Sequence, residues 1–144
     1  MSVVQSVDWL AVSPVLAVTV AALAVLLADL WLPAYALIPR VVIGGAGLVT
    51  GLVLIGVLWG EPRATFCTTD DILPVSCSYV VNPVTLVFQA VALGGALVVL
   101  LLAIDEVRSA RIPAGEFVFL LLCSVAGAAT LAAARDLATL VVAL

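Results

Sequence analysis

Four long uncharged runs dominate this chain of 144 residues: Trp9–Ala28, Val41–Gly60, Ile72–Ile104 and Phe117–Ala134. A helix that crosses the roughly 30 Å hydrocarbon core of a bilayer needs about 20 apolar residues, and each run can supply one. Composition agrees. The chain is 66% hydrophobic and 10% charged, with a mean hydropathy of +1.41. An ordinary soluble domain is about 45–50% apolar and about 25% charged. The expected fold is all-α: a polytopic transmembrane helix bundle in a multi-pass membrane protein.

The residue inventory excludes several chemistries. The net charge of −4 gives no basic footprint for nucleic acid. There are five Arg, no Lys and no His. Without His, Ser-His and Cys-His catalysis and most zinc sites are gone. The three Cys form no C-x-x-C pair, so neither a redox motif nor an iron–sulfur motif is present. No glycine-rich phosphate or dinucleotide cradle occurs. The opening "MSVVQSVD" carries no positive charge and one negative, unlike the start of a signal peptide. The first apolar run is therefore expected to be a retained helix.

The prolines sharpen the boundaries. Ser13-Pro14, Pro39, Asn82-Pro83 and Pro113 stand where spans should begin, because the missing N–H of Pro is no loss in a first helical turn. Ser13 and Asn82 are good N-caps. Pro33, Pro62 and Pro74 fall in connections. The expected helices are therefore about 14–32, 39–59, 83–104 and 114–133, with an external loop at 60–82. A fifth helix is expected to start at 136–144. Its eight uncharged residues after Asp136 rise only about 12 Å. An N-terminus outside puts Arg40, Arg108 and Arg111 inside and Arg63 and Arg135 outside, which the positive-inside bias favours.

The external loop holds Glu61, Asp70 and Asp71, and also Cys67 and Cys77. Two readings of the cysteines stand. One is a disulfide, permitted by an oxidising exterior and worth roughly 2.5–3 kcal/mol for so short a loop. The other is two free thiols. Cys123, mid-span, reads as a small packing residue.

Within the spans, helix 2 carries Gly44, Gly45, Gly47, Gly51 and Gly56, with Gly47 and Gly51 spaced as G-x-x-x-G. Small residues let helix backbones approach closely in lipid. These glycines are either a docking face for another subunit or packing inside the chain's own bundle, with Gly94-Gly95 as a candidate matching surface. Asp29 lies near the inner end of helix 1, where an acid opposes the helix macrodipole and calls for a partner or water. It is either a proton-path or inter-subunit contact, or an interfacial acid in solvent. Glu116 and Asp136 are helix-start acids, with structural capping weighed above proton transfer. Asp105, Glu106, Arg108 and Arg111 read as a solvated inner loop. No pair of ionisable residues is expected to meet at mid-membrane, so the chain reads as scaffold and not as pump.

The stretch "GEFVFLLLCSVAGAATLAAARDLATLVVAL" resembles a block of the antiporter-like subunit N family of proton-pumping NADH:quinone oxidoreductase, respiratory complex I. The residues that carry the resemblance are Gly115 to Phe117, Leu120 to Leu122, Gly127, Ala132 to Ala134, Asp136-Leu137 and Leu140. "LLADLWLP", Leu26 to Pro33, is similar to the end of that family's first helix. The resemblance implies the N-terminal portion of a much longer chain built on two inverted repeats, the first starting at the fourth helix. It implies that the first proton-carrying Glu directly follows the position of Leu144, so none of the proton-carrying Glu or Lys residues is present here. Asn82-Pro83, where many members have Asp, and Arg135, where Asn is common, depart from the pattern.

The resemblance also implies other membrane-arm subunits and the bilayer as partners, and the inner (plasma) membrane as location. NADH, FMN, iron–sulfur clusters and quinone would be handled elsewhere in the complex, with no cofactor and no metal in this chain. Enzyme activity would belong to the complex and not to this chain alone. Two alternatives remain at this point: a component of a multisubunit cation/proton antiporter, or a small stand-alone four-helix membrane protein with a structural or assembly role.

Overall fold

A computed structural model of the chain describes residues 7–31, 37–60, 63–68, 76–109 and 113–143. The expected connection residues Pro33, Glu61, Pro62, Asp70, Asp71, Pro74 and Arg111, and the terminal Leu144, lie outside the described residues. In chain order the elements are α1 (Trp9–Trp31), α2 (Leu37–Val57), β1 (Arg63–Thr68), β2 (Ser76–Val81), α3 (Pro83–Ser109), α4 (Ala114–Ala133) and α5 (Leu137–Ala143). The first four helices are long and apolar enough to cross a membrane. This is a multi-pass membrane protein.

The helices pack around a ring. α1 lies against α2 and α4, α2 against α3, and α3 against α4, with α2 and α4 also touching across the middle. Each buries one stripe at helical spacing. In α2 the stripe is Arg40, Gly44, Gly47, Leu48, Gly51 and Ile55. In α4 it is Ala114, Val118, Leu122, Val125, Ala129 and Ala133. Only 22–33% of each span's most apolar window is buried, so most of the apolar surface faces outward, as lipid allows. Trp9 and Trp59 at one end and Trp31 at the other are all exposed, at the depths where indole rings favour the membrane–water interface.

Three boundaries differ from expectation. α1 begins at Trp9 and not near Pro14, and Pro14 lies inside the helix. The N-cap is Asp8, not Ser13: Asp8 Oδ1 accepts from the amides of Leu10 (3.0 Å) and Ala11 (3.4 Å). Pro14 is tolerated because the carbonyl its missing N–H would have bonded, that of Leu10, accepts instead from Ser13 Oγ at 2.7 Å. α2 is shifted toward the N-terminus, at Leu37–Val57. α3 continues to Ser109, so Asp105, Glu106 and Arg108 are helical and not a loop. At 1.5 Å per residue its 27 residues reach about 40 Å, so the charged last turns project past the hydrocarbon.

The expected external loop contains an antiparallel hairpin. β1 pairs with β2 with Thr65 opposite Tyr79 and Cys67 opposite Cys77. Thr65, Tyr79 and Val81 are buried against the bundle end. The bundle remains all-α in class, with this two-stranded cap added. α4 stops because Ala134 turns extended and bridges to Tyr79.

Candidate functional site

Polar groups gather at the two ends of the bundle. At the end away from the hairpin, Arg40 Nε lies 2.7 Å from Asp29 Oδ1. Arg40 is 2% exposed and Asp29 40%. The sequence reading makes Arg40 a loop cation. It is instead the first residue of the buried stripe of α2, brought there because Pro39 lies within α2 and not at its edge. The Asp29 carboxylate also sits over Gly115, where any Cβ would collide with it. Gly115 is in the first turn of α4, whose capping residue Pro113 makes no side-chain hydrogen bond. An acid that opposes the dipole of its own helix thus rests against the favourable end of another. Asp29 therefore has a protein partner within the chain as well as access to solvent. Glu116 is in the same first turn of α4 and points outward, exposed.

The glycines of α2 are filled from within the chain. A Cβ on Gly47 would strike Ala21, one on Gly51 would strike Leu93, and one on Gly44 would strike Val118. Gly51 also lies close to the carbonyl of Pro14, so α1 and α2 touch backbone to backbone. The docking face for another subunit is therefore not formed by Gly44, Gly47 or Gly51. A methyl group added at Gly56, Gly94 or Gly95 would meet nothing within 4 Å, and Gly94-Gly95 does not meet the glycines of α2. Cys123 is exposed on α4 and is not a packing residue.

At the hairpin end, Cys67 and Cys77 form a disulfide. The hairpin it closes reaches several helices. Thr65 Oγ1 accepts from the Asp8 amide (2.9 Å), and Arg63 donates to Asp8 Oδ2 (3.1 Å). Drawing the Asp8 carboxylate partly out of water raises its pKa. The Arg63 bond and the Leu10 and Ala11 amides outweigh that and hold it below the usual value. On the other strand, the Arg135 amide donates to the Ser78 carbonyl (3.0 Å) and Ser78 Oγ donates to the Asp136 carboxylate. Asp136 is read from the sequence as the cap of the fifth helix. Its carbonyl does accept from Leu140, but its carboxylate ties the hairpin to the α4–α5 turn.

Gln89 is a polar group that sequence reasoning passes over. It is 1% exposed on α3, and its Nε2 donates to Tyr79 Oη (3.2 Å) and to the Ala129 carbonyl of α4 (2.9 Å). The signal is an amide in an otherwise apolar span, and such groups favour the bundle interior. The span hydroxyls of Thr19, Thr50 and Thr130 bond back to their own helices. Among the described residues no three Cys, Asp or Glu side chains converge where a metal ion could sit.

No protein-family model matches the chain. Curated relatives do. It is 53% identical over 146 aligned residues to NADH-quinone oxidoreductase subunit N 2 of Streptomyces griseus, covering 99% of this chain and 26% of that protein. Over its whole length the chain is similar to the subunit N family. A second member, NADH-quinone oxidoreductase subunit N of Salinispora tropica, is 41% identical over 100% of this chain and 27% of its own length. The chain thus spans about a quarter of the length of the subunits N it matches. Two features of the resemblance to subunit N acquire geometry. Asp29, in "LLADLWLP", and Gly115, in "GEF", are the carboxylate and the gap that meet between α1 and α4. Gly127, in "VAG", is where α5 folds back, with the Ala143 carbonyl too close for any Cβ.

Proposed function

We propose that this chain forms part of the membrane arm of an NADH:quinone oxidoreductase that couples electron transfer to proton translocation. The observation that carries this reading is the 53% identity to a subunit N across 99% of the chain. Its role in the arm is structural. The Asp29–Arg40 ion pair, with a buried guanidinium and an exposed carboxylate, joins the inner ends of two spans and not their middles. Proton relays need titratable groups at depth. The four spans and the hairpin hold α5 in place and offer a broad apolar surface to lipid and to other subunits of the arm. NADH oxidation, flavin, iron–sulfur clusters and quinone belong to those other subunits. The location is the plasma membrane, with the hairpin outside.

The test is co-migration. The natural full-length chain, affinity-tagged in its own organism, is solubilised in mild detergent and run on a native gel. NADH-oxidising, quinone-reducing activity is expected to travel with the tag, and deletion of the gene is expected to abolish NADH-driven proton export from inverted vesicles. A tagged chain that runs apart from NADH dehydrogenase activity, in a membrane that keeps its proton export, would overturn the proposal.

A further inference from the structure

Gln89 and Tyr79 carry complementary deficits in their hydrogen bonding. A carboxamide has two N–H groups and one carbonyl to satisfy. The Nε2 of Gln89 is engaged twice, with Tyr79 Oη and the Ala129 carbonyl. Its Oε1 is fully buried and has no hydrogen-bond partner among the described residues. Turning the amide over does not help. It would set Oε1 against the Ala129 carbonyl, acceptor against acceptor. Tyr79 is the mirror case. Its oxygen accepts from Gln89, which leaves its own proton to give. Burial pushes the Tyr79 pKa up, so the phenol keeps that proton.

The hydroxyls of Thr85, one turn before Gln89, and of Thr130, next to Ala129, are engaged elsewhere. Thr85 Oγ1 donates to the Val80 carbonyl (3.3 Å) and Thr130 Oγ1 to the Ala126 carbonyl (2.7 Å). The surroundings are small. α4 presents Ala126, Ala129 and Ala133 at helical spacing along this side, and the latter two are buried. A methyl group is the largest side chain that α4 sets at these three positions. A buried carbonyl and a buried hydroxyl within reach of one another are the polar partners that an internal water requires.

We propose that a single internal water bridges Tyr79 Oη and Gln89 Oε1, accepting from the phenol and donating to the amide. The water completes a polar node that links β2, α3 and α4 about 9 Å inside the start of α3. It lets the hairpin grip the bundle interior through a group small enough to fit between alanines. The proposal does not depend on the redox role of the complex.

A map of the complex that contains the full-length chain, at a resolution that shows ordered waters, tests it. The expected result is a density peak within hydrogen-bond distance of both Tyr79 Oη and Gln89 Oε1. Well-ordered Gln89 and Tyr79 side chains with no peak between them would overturn it, as would Tyr79 Oη turned to bond Oε1 directly. Infrared spectra of the same complex in H2(18)O give a second reading. An isotope-shifted O–H stretch is expected in the wild type and should be lost in Gln89→Leu. An identical set of shifted bands in both proteins would also count against the site.

Discussion

Asp29 and Arg40 form a lopsided ion pair: the guanidinium is buried at 2% exposure, while the carboxylate 2.7 Å away keeps 40% of its surface. The two sides of the pair should therefore respond differently to mutation. Removing Asp29 takes that carboxylate from a buried cation, and breaking a buried pair costs on the order of 3–5 kcal/mol. Removing Arg40 leaves an acid that already reaches water. Asp29→Asn is expected to destabilise by about 2–4 kcal/mol after allowance for partial solvation, and Arg40→Met by less than half of that. Thermal unfolding in detergent measures both. Equal losses would show that the burial asymmetry does not govern the pair.

Gly115 is a size-limited position because the Asp29 carboxylate occupies the space of its missing side chain. Gly115→Ala is expected to push Asp29 off α4 at a cost of about 1–3 kcal/mol, as overpacking does. Gly47→Ala should behave alike, against Ala21. Gly94→Ala, where a methyl meets nothing within 4 Å, should be neutral or slightly stabilising. The ranking of melting temperatures checks all three.

With the Cys67–Cys77 disulfide formed, Cys123 is the free thiol and is exposed. Alkylation followed by intact mass should add one adduct to the oxidised chain and three to the reduced chain. The bridge closes residues 10 apart, so reduction should lower stability by roughly 2.5–3 kcal/mol in the chain-entropy picture. The hairpin contacts to Asp8 and Asp136 should loosen first. Three adducts without reductant would remove the staple from the fold.

The Asp8–Arg63 tether should be acid-sensitive. Asp8 is held below its ordinary pKa of 3.8, so its contribution is fully present above that value and is lost as pH falls through the depressed folded value. Hydrogen exchange at the Leu10 and Ala11 amides should therefore quicken only below about pH 4. In Asp8→Asn that acid-dependent step should vanish. A step centred above pH 5 would point to a different group.

How much of this is legible in the sequence varies by element. The bounds of α4 follow from Pro113 and an uncharged run with no competing signal. For α1 two signals compete. Pro14 looks like a start, yet Asp8 caps the helix, and Ser13 Oγ repairs the gap the proline leaves. The Cys67–Cys77 reading needs only proximity in the chain and an exterior location. Arg40 and Gln89 are not legible as buried groups. A single cation beside a proline looks like loop, and one amide in an apolar span gives no hint of what it faces.

The sequence alone determined that four described helices are long and apolar enough to cross a membrane, because hydrophobic length is a property of consecutive residues and needs no partner. The tertiary structure decided which faces meet: Gly47 on Ala21, Gly115 under Asp29, Gln89 on Ala129. The physical reason is the solvent. In water a helix marks its buried side by polar contrast, but a helix in lipid is apolar all round, so its inner and outer faces read alike until the neighbouring helices are in place.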